Sequence, residues 1–114
     1  MKLTEIIETL GATLVTGDDK LDLDIQGGSA SDLMSDLLRN PKEGAILLTG
    51  LNTIQTIRTA VIAGLSAVIL VRGKTPNPEM VEYSQNHGLP LLTSPLNMFT
   101  SCGKLYAKGL DSIS

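Results

Sequence analysis

The chain has 114 residues, a formal net charge of −3, one cysteine, one histidine, no tryptophan and 3% aromatic residues. That length suits one compact domain, and 42% hydrophobic against 18% charged residues excludes a disordered chain. An isoelectric point near 4.9 argues against nucleic-acid binding, which asks for a basic stripe to neutralise phosphates. A lone cysteine forms no internal disulfide, so nothing points to an oxidising compartment.

The opening residues, Met1-Lys2-Leu3-Thr4-Glu5, lack the pattern of a secretory leader. No apolar run approaches the roughly 20 residues that span a bilayer. The expectation is a cytoplasmic domain, residues 1–110, followed by a frayed tail, 111–114.

Leu3, Ile6, Ile7 and Leu10 follow the spacing of one helix face, with Thr4 placed to cap the start and Gly11 to end it. Ala12 to Val15 reads as a short strand, and Gly17-Asp18-Asp19-Lys20 as a turn. Leu21, Leu23 and Ile25 alternate with Asp22, Asp24 and Gln26, the period of a half-exposed strand. These acids lack the glycine and terminal glutamate of a calcium loop. Gly27-Gly28-Ser29-Ala30 reads as a loop leading through Ser31 and Asp32 into a short helix with Leu33, Met34, Leu37 and Leu38 on its apolar side. Asn40-Pro41-Lys42-Glu43-Gly44 ends that helix.

Ala45 to Leu48 and Ala67 to Val71 are continuous apolar runs, which suit strands buried on both faces. Between them, Thr49 to Asn52 turns the chain into a helix with Ile54, Ile57, Val61 and Ile62 as its stripe, closed by Gly64. Arg72 to Pro76 is a loop. Asn77, Pro78 and Glu79 then supply an N-cap, a first-turn proline and a dipole-matching acid for a helix that ends at His87-Gly88. Leu89 to Leu92 is the last strand, where Pro90 fits only an edge or a strand start. Ser94-Pro95 opens a final helix with Leu96, Phe99, Cys102 or Gly103, and Tyr106 on one side. Strands alternating with helices through short loops predict a parallel sheet of about three or four strands joined by right-handed crossovers.

In such sheets ligands bind beyond the carboxyl ends of the strands. That rule selects Ser31 and Asp32, Thr49, Gly50 and Asn52, Arg72, Gly73 and Lys74, and Thr93 with Ser94. Hydroxyls, an amide, two cations and helix N-termini suit an anion such as a nucleotide phosphate, although each polar residue also serves as a cap or turn. Gly73-Lys74-Thr75 is not a phosphate loop. The required first glycine falls at Val68, within a strand, and prolines rather than a helix follow. Catalysis has little to use. His87 complements a helix dipole, Cys102 lies on an apolar stripe, and one of each cannot build a zinc cluster. Asp32 and Asp36 share a helix face, but nothing obliges them to share a proton. No catalytic residue, metal site or obligatory cofactor is therefore predicted.

Ala30 to Asp36, Ile46 to Gly50, Ala67 to Gly73, Pro78-Glu79 and His87 to Leu96 occur in an order and spacing that resembles the DRTGG domain, across about residues 1–110. The pattern is similar also to the N-terminal domain of HPr kinase/phosphorylase. The literal five-residue string is absent; Thr49-Gly50 and Arg72-Gly73-Lys74 stand nearest to it. The resemblance implies a three-layer α/β domain with a mainly parallel sheet flanked by helices, like the N-terminal domains of Mur ligases. It also implies a non-catalytic regulatory module that usually accompanies an enzyme. The leading expectation is action by protein contact, as a homodimer or on a partner enzyme, through Met98, Phe99, Leu105, Tyr106 and Leu110. The alternative is a nucleotide or anion sensor at the carboxyl edge.

Overall fold

A computed structural model of the chain describes residues 1–40 and 42–113. Pro41 and Ser114, placed at a helix end and in the tail by the sequence, lie outside those residues. Helix α1 (Leu3–Leu10), strand β1 (Thr13–Thr16) and strand β2 (Gly27–Ala30) come first. They are followed by α2 (Met34–Arg39), β3 (Ala45–Thr49), α3 (Ile54–Ile62), β4 (Ala67–Leu70), α4 (Pro78–Asn86), β5 (Leu91–Thr93) and α5 (Met98–Ala107). One five-stranded sheet runs in the order β1-β5-β4-β3-β2, parallel except for β1 against β5.

The parallel strands need crossover connections, and α2, α3 and α4 supply three in succession. Because crossovers are right-handed and each steps the sheet in the same direction, all three helices fall on one face. Leu37, Ile57 and Met80 from these helices pack there on Ala45, Leu47, Val68 and Leu70. The opposite face belongs to α1 and α5, whose Leu3, Ile6 and Leu105 meet Ile46, Leu48, Ala67 and Ile69. Side chains alternate between faces along a strand, and every residue of β3 and β4 is buried, as their uninterrupted apolar runs predict. The three-layer α/β architecture expected from the sequence is the one observed.

Several local expectations change. The strand predicted at Leu21–Ile25 does not join the sheet. Its alternation is real, with Ile25 buried and Leu21 exposed. Its backbone, however, is spent on the start of the chain: Leu3 N–H donates to Leu23 C=O at 3.0 Å and Ile25 N–H to Met1 C=O at 2.7 Å. Lys2, not Thr4, caps α1, and its backbone N–H donates to Glu5 Oε1 at 3.1 Å. Gly11 does end α1 in the left-handed conformation, with φ of 61°. β1 sits one residue later than predicted. The run Gly27-Gly28-Ser29-Ala30, read as a loop, is the edge strand β2. The sheet thus has five strands rather than three or four. β5 is interior, and Pro90 stands just before its ladder rather than on an edge.

Three helix faces are also revised. In α3, Thr56, Thr59 and Ala60 join Ile57 in the interior, while Ile62 is exposed. Thr56 satisfies its hydroxyl on Leu51 C=O at 3.0 Å, which makes its burial tolerable. In α2 only Leu37 is buried, and Leu33 and Leu38 face out. In α5 the predicted stripe divides: Leu96 and Cys102 pack against the core, while Phe99 and Tyr106 face out. Phe99 is 88% and Tyr106 69% exposed, whereas Ser101 and Leu105 are buried against the sheet. Replacing Leu105 by Ala is expected to cost about 2–5 kcal/mol, and Phe99→Ala to stay within about 0.5 kcal/mol. Urea unfolding of the two variants compares them directly.

Candidate functional site

At the carboxyl ends of the parallel strands the chain leaves β4 for one face of the sheet and β5 for the other, since α4 and α5 pack on opposite sides. Such a divergence is where open α/β sheets gather ligand-binding loops. The residues selected from sequence do assemble here, and the structure assigns them different duties.

Asp32, just past β2, reaches the end of β3. Its Oδ1 accepts from Thr49 Oγ1 at 2.9 Å and from Gly50 N–H at 2.8 Å. The Gly50 amide holds its carboxyl below the usual carboxylate range against the opposing effect of burial, with lesser help from the Thr49 hydroxyl and then the Arg72 charge. Thr49 is fully buried and also accepts Leu51 N–H at 3.2 Å, so its hydroxyl is a structural bridge. Asp36 points to Arg39 at 3.5 Å, so the two acids are held apart by separate partners.

Arg72 leaves β4 with φ of 61°, the one described residue other than glycine in the left-handed region, and Gly73 follows at 66°. Non-glycine residues there are strained, which makes the turn worth a functional question. It is held by Arg72 N–H to Leu96 C=O and Gly73 N–H to Ser94 C=O, both 2.8 Å, which tie the loops after β4 and β5 together. The guanidinium lies over Gly50: a Cβ at residue 50 would stand 2.6 Å from Arg72 Nη2. Its side chain makes no hydrogen bond or ion pair with another described residue. Lys74 is exposed beside it. Asn52 Nδ2 donates to Thr75 C=O at 3.1 Å and joins the loops after β3 and β4. Ser94 is buried and its hydroxyl accepts Leu96 N–H at 3.2 Å, while Thr93 is half-buried. The edge therefore divides into a locked framework of Asp32, Thr49, Gly50 and Ser94 and a pair of accessible cations, Arg72 and Lys74.

The other singled-out residues have structural partners. His87 is the C-cap of α4, stacked on Tyr83 with centroids 4.0 Å apart, and its Nδ1 lies 2.9 Å from Tyr83 C=O. Burial pushes the Cys102 thiol up, away from a reactive thiolate. Among the described residues no three His, Cys, Asp or Glu side chains cluster as metal ligands, and no helix is long and apolar enough to cross a membrane. Of the proposed contact residues, Leu105 and Leu110 belong to the core, Met98 packs against it, and Phe99 and Tyr106 are free. One feature escaped sequence reasoning: an open cavity of about 360 Å³ between β2, α5 and residues 110–113. Its signal was the glycine-rich run of β2, which a loop explained equally well.

Taken together, fold and edge define a three-layer α/β module with an accessible cationic rim and no reacting constellation among the described residues. The DRTGG domain model matches residues 5–107, and the chain belongs to that family, whose members are regulatory modules. Its fold is similar to the CBS and DRTGG domains of the regulatory region of Clostridium perfringens pyrophosphatase, solved in complex with the activator diadenosine tetraphosphate. The TM-score is 0.78 at 20% identity, covering 91% of this chain and 45% of that one. No curated protein matches the chain.

Asp32 gives the framework a pH signature. Its folded value lies below its unfolded one, near 3.8, so its stabilisation is present above that unfolded value and lost as pH falls through the lower folded one. Asp32→Asn is expected to be less stable than the parent at pH 7, with the gap closing towards pH 2. Chemical unfolding across that range reads the closure.

Proposed function

We propose that this chain is a non-catalytic regulatory module that works by protein contact, as a homodimer or on a partner enzyme, with α5 as the contact element. The observation that carries this is the exposure of Phe99 and Tyr106. They lie seven residues, about 10 Å, apart on one helix face, next to half-buried Cys102. Two aromatic rings left in water on an element otherwise seated on the sheet are the anchors a protein interface uses. Sedimentation across concentration tests the homodimer. Self-association is expected at high concentration and is lost in Phe99→Ser/Tyr106→Ser, whose exposed positions leave the fold intact. A strict monomer overturns the homodimer.

A second reading, ligand sensing at the carboxyl edge, is favoured by the strained Arg72 turn and its unpaired guanidinium. An anion such as a nucleotide phosphate would meet Arg72 and Lys74, with Asn52 and Thr93 at its margin. The related pyrophosphatase region, bound to a nucleotide activator, supports this direction. A ligand that binds only the folded state raises the melting midpoint, so adenine and guanine nucleotides at millimolar concentration are expected to shift it. A charge-assisted contact is worth about 1.5–3 kcal/mol, so Arg72→Ala is expected to weaken binding roughly tenfold or more. No shift with any nucleotide overturns this reading and leaves the first untouched.

A further inference from the structure

Among the described residues, the outer edge of β2 is only half covered. Gly28 N–H donates to Asp111 C=O at 2.9 Å and Ile113 N–H to Gly28 C=O at 3.2 Å, so residues 111–113 lie along β2 as a short parallel strap, not a frayed tail. Outward-facing backbone groups recur at every second residue of a strand, and Ser31 N–H turns inward to Leu48 C=O at 3.1 Å. Ala30 therefore presents its N–H and C=O on the same side as Gly28, and neither bonds to another described residue. Edge strands are normally guarded by lysine, proline, a bulge or a covering element. β2 reads Gly-Gly-Ser-Ala and has the strap alone.

The strap is seated closely. A Cβ at Gly27 would lie 2.7 Å from Ile113 Cγ1 and 3.0 Å from Asp111 C=O, so the glycine is what admits it. Behind it opens the cavity of about 360 Å³, floored by Leu48, Leu105 and Leu110 with Tyr106 at its side. Lys42 and Asp111 are the only charged residues among the described residues of the lining. When the strap leaves, Asp111 leaves with it, and Lys42 remains as the charge among the described lining residues.

We propose that the outer edge of β2 and this cavity form a strand-addition site for a partner protein's extended segment, with residues 111–113 as its displaceable occupant. The incoming segment runs parallel to β2, as the strap does, and extends the pairing to Ala30. It places an apolar side chain over Leu48 and Leu105 and an acidic one near Lys42. Main-chain bonds to a free edge give such complexes their affinity, and alternate side chains give their specificity. The site borders the outer face of α5, sharing Tyr106 and Cys102 with it, but its backbone contacts lie on β2 and away from Phe99.

The test is fluorescence anisotropy with a dye-labelled peptide carrying the sequence of residues 109–114 followed by Val-Thr-Val, titrated with the full chain. In the unaltered chain the strap competes at an effective concentration of order millimolar. Ile113→Asp loosens it and is expected to raise peptide affinity at least tenfold. Ala30→Pro, added to that variant, removes the outward N–H without taking a bond from the β3 ladder, and is expected to return affinity to the starting level. Circular dichroism checks that the double variant folds. Should it not, a peptide N-methylated at alternate positions blocks the same bonds and is expected to lose binding to Ile113→Asp. Phe99→Ser is expected to leave peptide affinity unchanged, which separates failure here from failure of the α5 interface. The proposal is overturned if Ile113→Asp gains no affinity, or if binding ignores both Ala30→Pro and N-methylation. It is overturned also if the Ile113→Asp chain self-associates through this edge without binding peptide, which assigns the edge to a second copy.

Discussion

Strands β3 and β4 are buried along their whole length, and that constraint organises the rest of the molecule. Parallel neighbours cannot be joined by a hairpin, so each connection must be a helix, and a strand apolar on both faces needs a layer on each side. Three crossovers of one hand fill one face with α2, α3 and α4. The other face falls to the first and last helices, α1 and α5, which meet each other across it. With the centre committed to packing, everything able to meet a partner is displaced to margins: the carboxyl edge, the outer side of α5 and the edge of β2.

What sequence could reveal followed the same division. β3, β4 and the caps of α4 were legible because each is dictated locally: unbroken apolar runs for the strands, and Asn77-Pro78-Glu79 for the helix, where Asn77 Oδ1 does accept Met80 N–H at 2.9 Å. β2 was not, because Gly-Gly-Ser-Ala carries no hydrophobic period. It is a strand through its backbone partners, β3 on one side and the strap on the other, and its glycines serve closeness of approach rather than a turn. The alternation at Leu21 to Ile25 misled for the converse reason: its period is that of a strand, yet its backbone groups pair with the chain start. In α5, residue type pointed the wrong way. Ser101 and Leu105 face inward while two aromatic rings remain outside, an inversion that packing on the helix's own sheet does not require.

At the carboxyl edge, topology brought the chosen residues together, but burial decided which can act. A carboxylate held by a backbone amide and a buried hydroxyl has already spent those contacts, and Ser94 likewise satisfies Leu96 N–H rather than a ligand. Among the described residues, neither Arg72 nor Lys74 forms an ion pair. The Arg72 charge is the least of the influences that lower the Asp32 carboxyl, and the guanidinium lies over Gly50 without an ion pair to a described residue. Anion binding by such an edge would need no rearrangement of its framework.

β2 joins the two margins physically. Three residues separate Gly28, where the strap is bonded, from Asp32, whose carboxylate pins Thr49 and Gly50 under Arg72. A change at the edge of β2 therefore has a short covalent path to the residue that sets the carboxyl edge. Spatial continuity alone is not coupling; coupling needs an element with two states that both sites bias. Exchange of the strap for a foreign strand would supply such states, because the strap's two bonds fix Gly28 alone while a longer strand would also engage Ala30, two residues from Asp32. A regulatory module could pass a signal in this way, through the position of one edge strand.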